Sequence, residues 1–161
     1  MQVEIASQVS DFSAQEWNRL AGDRFPFLRH EFLDAAESTG SASAETGWTP
    51  CHVGLRDQSG KLQAAMPLYE KSHSWGEFVF DWSWAQAYEQ GGFAYYPKLV
   101  STIPFTPAPS RRLLLSDNAH APELLAAVRQ LANDRNHSSI HVLFPKESEL
   151  SFLEDAGLQL R

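Results

Sequence analysis

Apolar and polar positions at the start of the chain predict one strand followed by two helices. Residues 3–6 alternate between apolar and polar side chains, as a half-buried strand does. Asp11 or Ser13 provides an N-cap for a helix over residues 14–21. A second helix is expected over residues 29–38, because its apolar side chains fall on one stripe.

The middle of the chain predicts a β-hairpin. Residues 49–56 and 61–69 are apolar runs, and the four residues between them, Asp-Gln-Ser-Gly, favour a turn. The elements expected after the hairpin are a brief strand at 78–80, a helix at 82–90 with Asp81 as its N-cap, and a strand at 96–103.

The last third alternates between strands and helices. The expected elements are a strand at 112–115, a helix at 121–136, a strand at 139–144, a helix at 147–156 and the start of a strand at 158–161. The whole order predicts an α/β fold, with a central mixed sheet and helices on both faces.

Composition adds that residues 1–161 form one globular domain, with 43% hydrophobic and 20% charged residues. The net charge is −7, and no basic stripe could neutralise phosphates, so nucleic acid is not expected as a partner. Cys51 is the only cysteine, which excludes an internal disulfide and a cysteine-rich zinc site. No signal peptide or apolar run of membrane-spanning length is present, so a soluble, cytoplasmic protein is expected.

Candidate chemistry is concentrated between residues 66 and 105. This stretch holds all four tyrosines, three of the five tryptophans and four of the ten phenylalanines. Several carboxylates, a histidine and two lysines lie among them. Apolar walls with a few polar groups are typical of a ligand cleft. An aromatic-rich surface or a subunit contact is the alternative.

The chain resembles a known family. The order of elements is similar to the GNAT acyltransferase fold, and the sequence from about Trp17 onward resembles the bacterial FemAB-like proteins. The segments that carry the resemblance are PFLRHEFL (26–33), TGWTPCH (46–52), PLYEKSHS (67–74), GEFVFDW (76–82), YYPKL (95–99) and IPFTP (103–107).

The resemblance implies an N-acyltransferase or aminoacyltransferase that modifies an amine of a peptide, a small molecule or a cell-wall precursor. FemAB-like proteins are usually about twice this long and have two GNAT-like halves, and this chain resembles the first half. A second GNAT-like half, or self-association through the C-terminal sheet edge at residues 158–161, is therefore an expected partner.

The same resemblance implies an acyl donor such as acetyl-CoA. The glycine-bearing pyrophosphate loop of GNAT enzymes has no counterpart in this chain, however, and the loop after Pro107 reads Ala-Pro-Ser-Arg-Arg. Glycine lets backbone amides approach a pyrophosphate closely. We therefore expect weak or absent binding of acetyl-CoA.

Acyl transfer to an amine needs a base, because a free amine has a pKa near ~10. Glu70, His73 and Asp81 are the candidate bases, and Tyr96 or Tyr88 could return the proton. The convergence of Glu70, His73, Asp81, Tyr96 and Lys98 on one concavity is expected.

Other polar and aromatic residues are candidates for substrate binding. Backbone N–H groups near residues 103–106 could hold an oxyanion, and paired arginines could clamp a phosphate or carboxylate. The candidate substrate-binding residues are Trp75, Trp82, Tyr88, Tyr95, Lys98, Phe105, Thr106, Arg111 and Arg112.

Each candidate also has a purely structural interpretation. Asp81 could serve only as an N-cap, Glu70 could lie at an exposed strand end, and His73 could be a hydrogen-bonded surface residue. The spacing of His73, Glu77 and Asp81 lacks the second histidine of a metal site, so no metal is predicted. A domain that only recognises its ligand, without catalysis, is the alternative function.

Overall fold

A computed structural model describes residues 1–161. The strands are β1 (Gln2–Ala6), β2 (Trp48–Pro50), β3 (His52–Arg56), β4 (Leu62–Met66), β5 (Tyr69–Lys71), β6 (Lys98–Ser101), β7 (Leu114–Leu115) and β8 (Ile140–Val142). The helices are α1 (Ala14–Ala21), α2 (His30–Ser38), α3 (Trp82–Gln90), α4 (Ala121–Asp134) and α5 (Leu150–Asp155).

The strands form two four-stranded sheets, in the orders β1-β3-β4-β7 and β2-β5-β6-β8. All neighbours are antiparallel except β6 and β8, which run parallel. The predicted α/β fold is therefore confirmed, with two sheets in place of one central sheet and with parallel pairing in the second sheet.

The predicted hairpin forms, but each of its strands is divided. Pro67 has no N–H to donate, so the ladder is interrupted between β4 and β5. Cys51 lies at the corresponding break between β2 and β3, and its backbone N–H donates to Leu68 O at 2.9 Å. This bond joins the two sheets.

Helices cover both faces of the first sheet, as predicted. On one face, α4 and Leu153 of α5 pack against Val53, Leu55, Ala64 and Met66. On the other face, α1 and α2 pack against Ala65 and the adjoining strands. Neighbouring residues of β4 point to opposite faces, so this strand contributes to both cores.

Two predicted strands are wrong. Residues 78–80 have no regular structure, and Phe78 has a φ of 59°, in the left-handed region that a strand cannot use. Residues 158–161 continue after α5 without pairing to a sheet. The other predicted elements exist, with ends that differ by a few residues.

Candidate functional site

Two buried lysines mark the ends of the most aromatic part of the chain. Lys71 of β5 and Lys98 of β6 are direct partners in the antiparallel ladder, so their side chains share one face of the sheet. Both residues have 0% relative exposure. The segment between them, residues 72–97, is called the aromatic insertion below.

Lys98 binds the insertion through three side chains. Its Nζ donates to Ser74 Oγ at 2.9 Å, to Glu77 Oε2 at 2.8 Å and to Asp81 Oδ2 at 2.6 Å. Tyr95 also donates its hydroxyl to Asp81 Oδ2, at 2.7 Å. A buried ammonium must be paired and hydrogen-bonded to be tolerated, and here all three of its N–H groups are satisfied.

The two carboxylates in this cluster have opposite pKa shifts. Burial raises the pKa of Glu77, and the hydrogen bond and charge of Lys98 oppose this without cancelling it. Burial also raises the pKa of Asp81, but hydrogen bonds from Lys98, Ser74 and Tyr95 outweigh it and leave that pKa lowered. Glu77 Oε1 and Asp81 Oδ1 are buried without a hydrogen-bond partner. Each carboxylate therefore has one oxygen free to accept a proton or a donor group.

Lys71 lies over the Trp48 ring, with its Nζ 3.5 Å from the ring centroid, and donates to Trp75 O at 3.2 Å. Burial lowers the pKa of Lys71 to about 7; the charge of Glu77 raises it and that of Lys98 lowers it further. Lys71 is therefore an amine that can gain or lose a proton near neutral pH.

An open cavity of about 610 Å³ lies above this cluster. Its lining residues are His73, Ser74, Trp75, Trp82, Ala85, Gln86, Glu89, Phe93, Ala94, Tyr95 and Tyr96. The cavity is therefore walled by aromatic rings, and all of its lining comes from the insertion.

A chain of hydrogen bonds leads from the cavity lining to the buried charges. The Tyr96 hydroxyl and Ser74 Oγ are 2.7 Å apart, and Ser74 Oγ accepts from Lys98, which in turn binds Glu77 and Asp81. Because Lys98 donates all three of these bonds, a proton moves inward along this route only when Lys98 passes one of its own protons to Glu77 or Asp81 and then accepts one from Ser74. We call these five residues the polar chain.

The structure brings four of the five expected residues together. His73 and Tyr96 line the cavity, and Asp81 and Lys98 lie directly beneath it. Asp81 stands at the N-cap position of α3, but its side chain makes no cap hydrogen bond and binds Lys98 instead. Its purely structural interpretation as an N-cap therefore fails.

Glu70 is not brought to the cavity. Glu70 pairs with Leu99 in the ladder. Because it is the neighbour of Lys71 in β5, its side chain points to the opposite face of the sheet from the two lysines. Its Oε2 lies 2.7 Å from His137 Nε2. The expected convergence therefore does not hold for Glu70.

His73 lines the cavity, but its ring is already engaged. Nδ1 accepts the backbone N–H of Trp75 at 3.2 Å, so in the neutral ring Nε2 carries the proton. Nε2 lies against Gly47, where an added Cβ would come within 2.3 Å of it. Burial and the charge of Lys71 lower the pKa of His73. The ring is therefore neutral and has no free lone pair.

Trp75, Trp82 and Tyr95 line the cavity as substrate-binding candidates, whereas Tyr88 lies behind Tyr95 with ring centroids 5.2 Å apart. Phe105 packs on Trp48, at 5.2 Å between ring centroids. These two candidates are not part of the cavity lining.

The remaining candidates are used by the fold. Thr106 N–H donates to Ile103 O at 3.2 Å, so it is not free for an oxyanion. Arg112 is fully buried and donates to Leu143 O and to neighbouring main-chain and Ser110 oxygens. Its side chain is not available for a substrate.

Arg111 donates to Leu20 O and Ala21 O, at 2.8 and 2.7 Å, and lines a second cavity of about 410 Å³. Arg24 and Lys146 also line this cavity, with Asp23 as the acidic member. The second cavity is thus positively charged on balance, and the aromatic cavity is not.

Three residues of the cluster were missed as site candidates: Lys71, Glu77 and Ser74. These residues could have been found by pairing the second hairpin strand with the predicted strand at 96–103, since that pairing places Lys71 opposite Lys98. Two lysines side by side in a buried sheet require nearby carboxylates, and Glu77 and Asp81 lie in the segment that joins them.

No group of three or more histidine, cysteine, aspartate or glutamate side chains is arranged to hold a metal ion. None of the helices combines the length and apolar character needed to cross a membrane.

Comparisons with known proteins agree with this architecture. A family model described as FemAB-like, peptidoglycan biosynthesis/recognition, matches residues 8–161. No curated protein gives a significant match. A solved ribosomal-protein-alanine N-acetyltransferase from Brucella melitensis biovar Abortus 2308 is similar over 99% of this chain and 94% of that chain, with a TM-score of 0.55 and 13% identity. This similarity confirms the predicted GNAT-like fold.

Proposed function

Because the chain belongs to the FemAB-like family, we propose that it is an acyltransferase-type domain whose aromatic cavity holds an amine-bearing acceptor. The acceptor class is a peptide or a cell-wall-precursor-like molecule. Residues 1–161 would act as one GNAT-like unit, and a second such unit is its expected partner.

The observation that supports catalysis is the polar chain. It connects two hydroxyls at the cavity, Ser74 and Tyr96, with the buried carboxylates of Glu77 and Asp81 through Lys98. Hydroxyl groups can accept and donate a proton in turn, so they can pass one from a bound amine to Lys98 as Lys98 gives one of its own protons to Glu77. Burial raises the pKa of Glu77 while the pKa of Asp81 is lowered, so Glu77 is the better proton acceptor of the two carboxylates.

The reaction is the attack of a neutral amine nitrogen on the carbonyl carbon of an activated ester or thioester. The new N–C bond forms, the bond from the carbonyl carbon to the leaving oxygen or sulfur breaks, and the electron pair goes with the leaving group. The proton lost by the amine enters the polar chain at Tyr96 or Ser74 and finally returns to the leaving group. In this scheme Tyr96 is the proposed catalytic residue, and Asp81 and Glu77 act through Lys98 and Ser74.

The test is a transfer assay with a lysine-containing peptide and a panel of acyl donors, scored by product mass. Tyr96→Phe and Ser74→Ala should each lower the rate about 10²-fold while peptide binding is retained, since general acid–base groups contribute about that much or more. Tyr88→Phe is the matched control, because this hydroxyl lies outside the cavity lining. Full activity in both cavity variants would contradict the proposed proton route.

A recognition domain without catalysis is the second candidate, and one observation favours it. Two of the predicted bases are engaged elsewhere: Glu70 with His137, and the His73 lone pair with Trp75 N–H. Peptide binding with no product from any donor, in the same assay, would select this alternative.

The donor is expected to bind away from the aromatic cavity, because that cavity carries no cationic side chain. The second cavity has the positive lining that an anionic donor group needs, but Arg111 already donates to Leu20 O and Ala21 O. We therefore expect weak acetyl-CoA binding, and a micromolar affinity by calorimetry would contradict this.

A further inference from the structure

The rings that wall the aromatic cavity are largely exposed. Trp75, Trp82 and Phe93 have relative exposures of 66%, 50% and 71%. The rings of Trp75 and Trp82 are tilted by 52° with centroids 5.7 Å apart, so they form two sides of a corner. A folded protein normally leaves few large aromatic side chains so open unless they contact a ligand or partner.

The formal charges in the segment that carries these rings are all negative. Residues 72–97 contain three acids and no lysine or arginine. Glu77 and Asp81 are buried against Lys98, so Glu89 is the charged side chain that faces the cavity. The other titratable lining groups are Tyr95, Tyr96 and His73, whose pKa is lowered. The cavity thus presents ring faces and one carboxylate, with no cation of its own.

Three aromatic rings in or near the insertion contact cations of the protein itself. Lys71 lies over Trp48, Lys98 lies 5.4 Å from the Tyr95 centroid, and Arg161 lies 4.6 Å from the Trp84 centroid. The faces of Trp75 and Trp82 have no such partner. A ring face attracts a cation through its quadrupole, and quaternary ammonium ligands are recognised by cages of this composition.

Taking the ligand position from the proposed function, we infer that the aromatic cavity binds an organic cation, of the alkylammonium class, between Trp75, Trp82 and Glu89. The acceptor is then recognised by its positive charge, and a neutral group of the same shape binds more weakly. Because acyl transfer needs the neutral amine, the bound ammonium first loses one proton to the solvent that reaches the open cavity. The second proton, lost on attack, enters the polar chain and returns to the leaving group.

The test compares choline with 3,3-dimethylbutan-1-ol, which has the same shape without the charge. Binding is followed by the indole N–H signals of the tryptophans in NMR spectra of the full chain. We expect saturable shifts at Trp75 and Trp82 and none at Trp17, and an affinity for choline at least about tenfold above that for the alcohol.

Trp82→Leu should weaken choline binding about fivefold, since one cation–π contact contributes about 1 kcal/mol. Trp84→Leu is the matched control, because Trp84 is equally exposed on α3 but does not line the cavity. Glu89→Gln should also weaken choline binding and leave alcohol binding unchanged.

Equal affinity for choline and the alcohol would overturn the inference, as would stronger binding of an uncharged sugar such as N-acetylglucosamine. Absence of any shift with 100 mM choline, roughly the range where weak single-site ligands saturate, would also overturn it. The transfer assay is scored separately, so an active enzyme with no preference for cations would leave the proposed function standing.

Discussion

Replacement of Lys98 by methionine tests whether the buried lysine anchors the aromatic insertion. Methionine keeps most of the volume and apolar stem of lysine but removes all three N–H donors. Glu77 and Asp81 would then lose the cation to which both are paired, in a site where the lysine and glutamate side chains have 0% exposure. Removal of one partner from a buried ion pair costs about 3–5 kcal/mol. We expect Lys98→Met to lower the free energy of unfolding by this amount at pH 7.

The size of the loss should depend on pH. The folded-state pKa of Asp81 is lowered, so its ion pair contributes stability that is present above the unfolded pKa and is lost as the pH falls. Without Lys98, burial raises the pKa of both carboxyls, so the variant loses stability as the pH rises through the carboxyl range. The difference between the two proteins should therefore be widest at pH 7 and narrow toward about pH 4.

Urea unfolding at pH 4, 5.5 and 7 gives the measurement, with far-UV circular dichroism for the fold and tryptophan fluorescence for the insertion. Lys61→Met is the control, because Lys61 is exposed in the hairpin turn region. A triple variant with Lys98→Met, Glu77→Gln and Asp81→Asn should recover part of the loss. A loss below about 1 kcal/mol at pH 7, typical of a surface pair, would show that the network does not hold the insertion.

Three further predictions follow from other buried groups. The pKa of Lys71 is lowered to about 7 by burial, so between pH 7 and about 10 the unfolded state binds the proton and the folded state does not. The free energy of unfolding of the wild-type protein should therefore rise with pH across this range, and Lys71→Met should abolish this rise. Equal pH dependence of the two proteins in urea unfolding would contradict the prediction. Glu149→Gln should lower the free energy of unfolding by about 1–3 kcal/mol, because its carboxylate accepts three backbone N–H groups. Glu147→Gln, at an exposed position, is its control. An equal effect of the two substitutions in thermal unfolding would refute the stabilising role of the Glu149 carboxylate. Burial raises the pKa of Cys51 to about 12, so Ellman's reagent should label it only after unfolding, and labelling of the native protein within minutes would show that the thiol is open.

The sequence was sufficient for those elements whose ends carry local signals. Helix α1 has the predicted bounds, and Gly22 ends it with a φ of 75° that favours glycine, although Ser13 makes no side-chain cap hydrogen bond. Helix α3 also has the predicted bounds and ends before Gly91, although the Asp81 side chain does not cap it. The division of the hairpin strands was not predicted, although Pro67 within the second run is a local signal for an interrupted ladder.

The segment Glu-Phe-Val-Phe-Asp, residues 77–81, shows why the site was only partly predicted. Its alternation predicts a brief strand at residues 78–80. In the structure, Glu77 and Asp81 point inward, while Phe78 and Phe80 are 53% and 76% exposed. The acids are inside because the partner of both is Lys98, which comes later in the chain and is fixed by strand pairing. Local alternation carries no information about a distant buried cation.

The position of the two lysines makes the aromatic insertion an exchangeable module. The chain leaves the sheet after Lys71 and returns at Lys98, its direct partner across the ladder, so the distance between the two ends is set by the ladder alone. Closing a longer or shorter loop across such a gap costs little, since the entropy of closure grows slowly with length. A graft of other sequence between these positions would leave both cores unchanged, provided that it brings two carboxylates for Lys98 and a backbone carbonyl for Lys71. Ligand preference in this architecture can diverge, or be redesigned, by replacing one continuous stretch of chain.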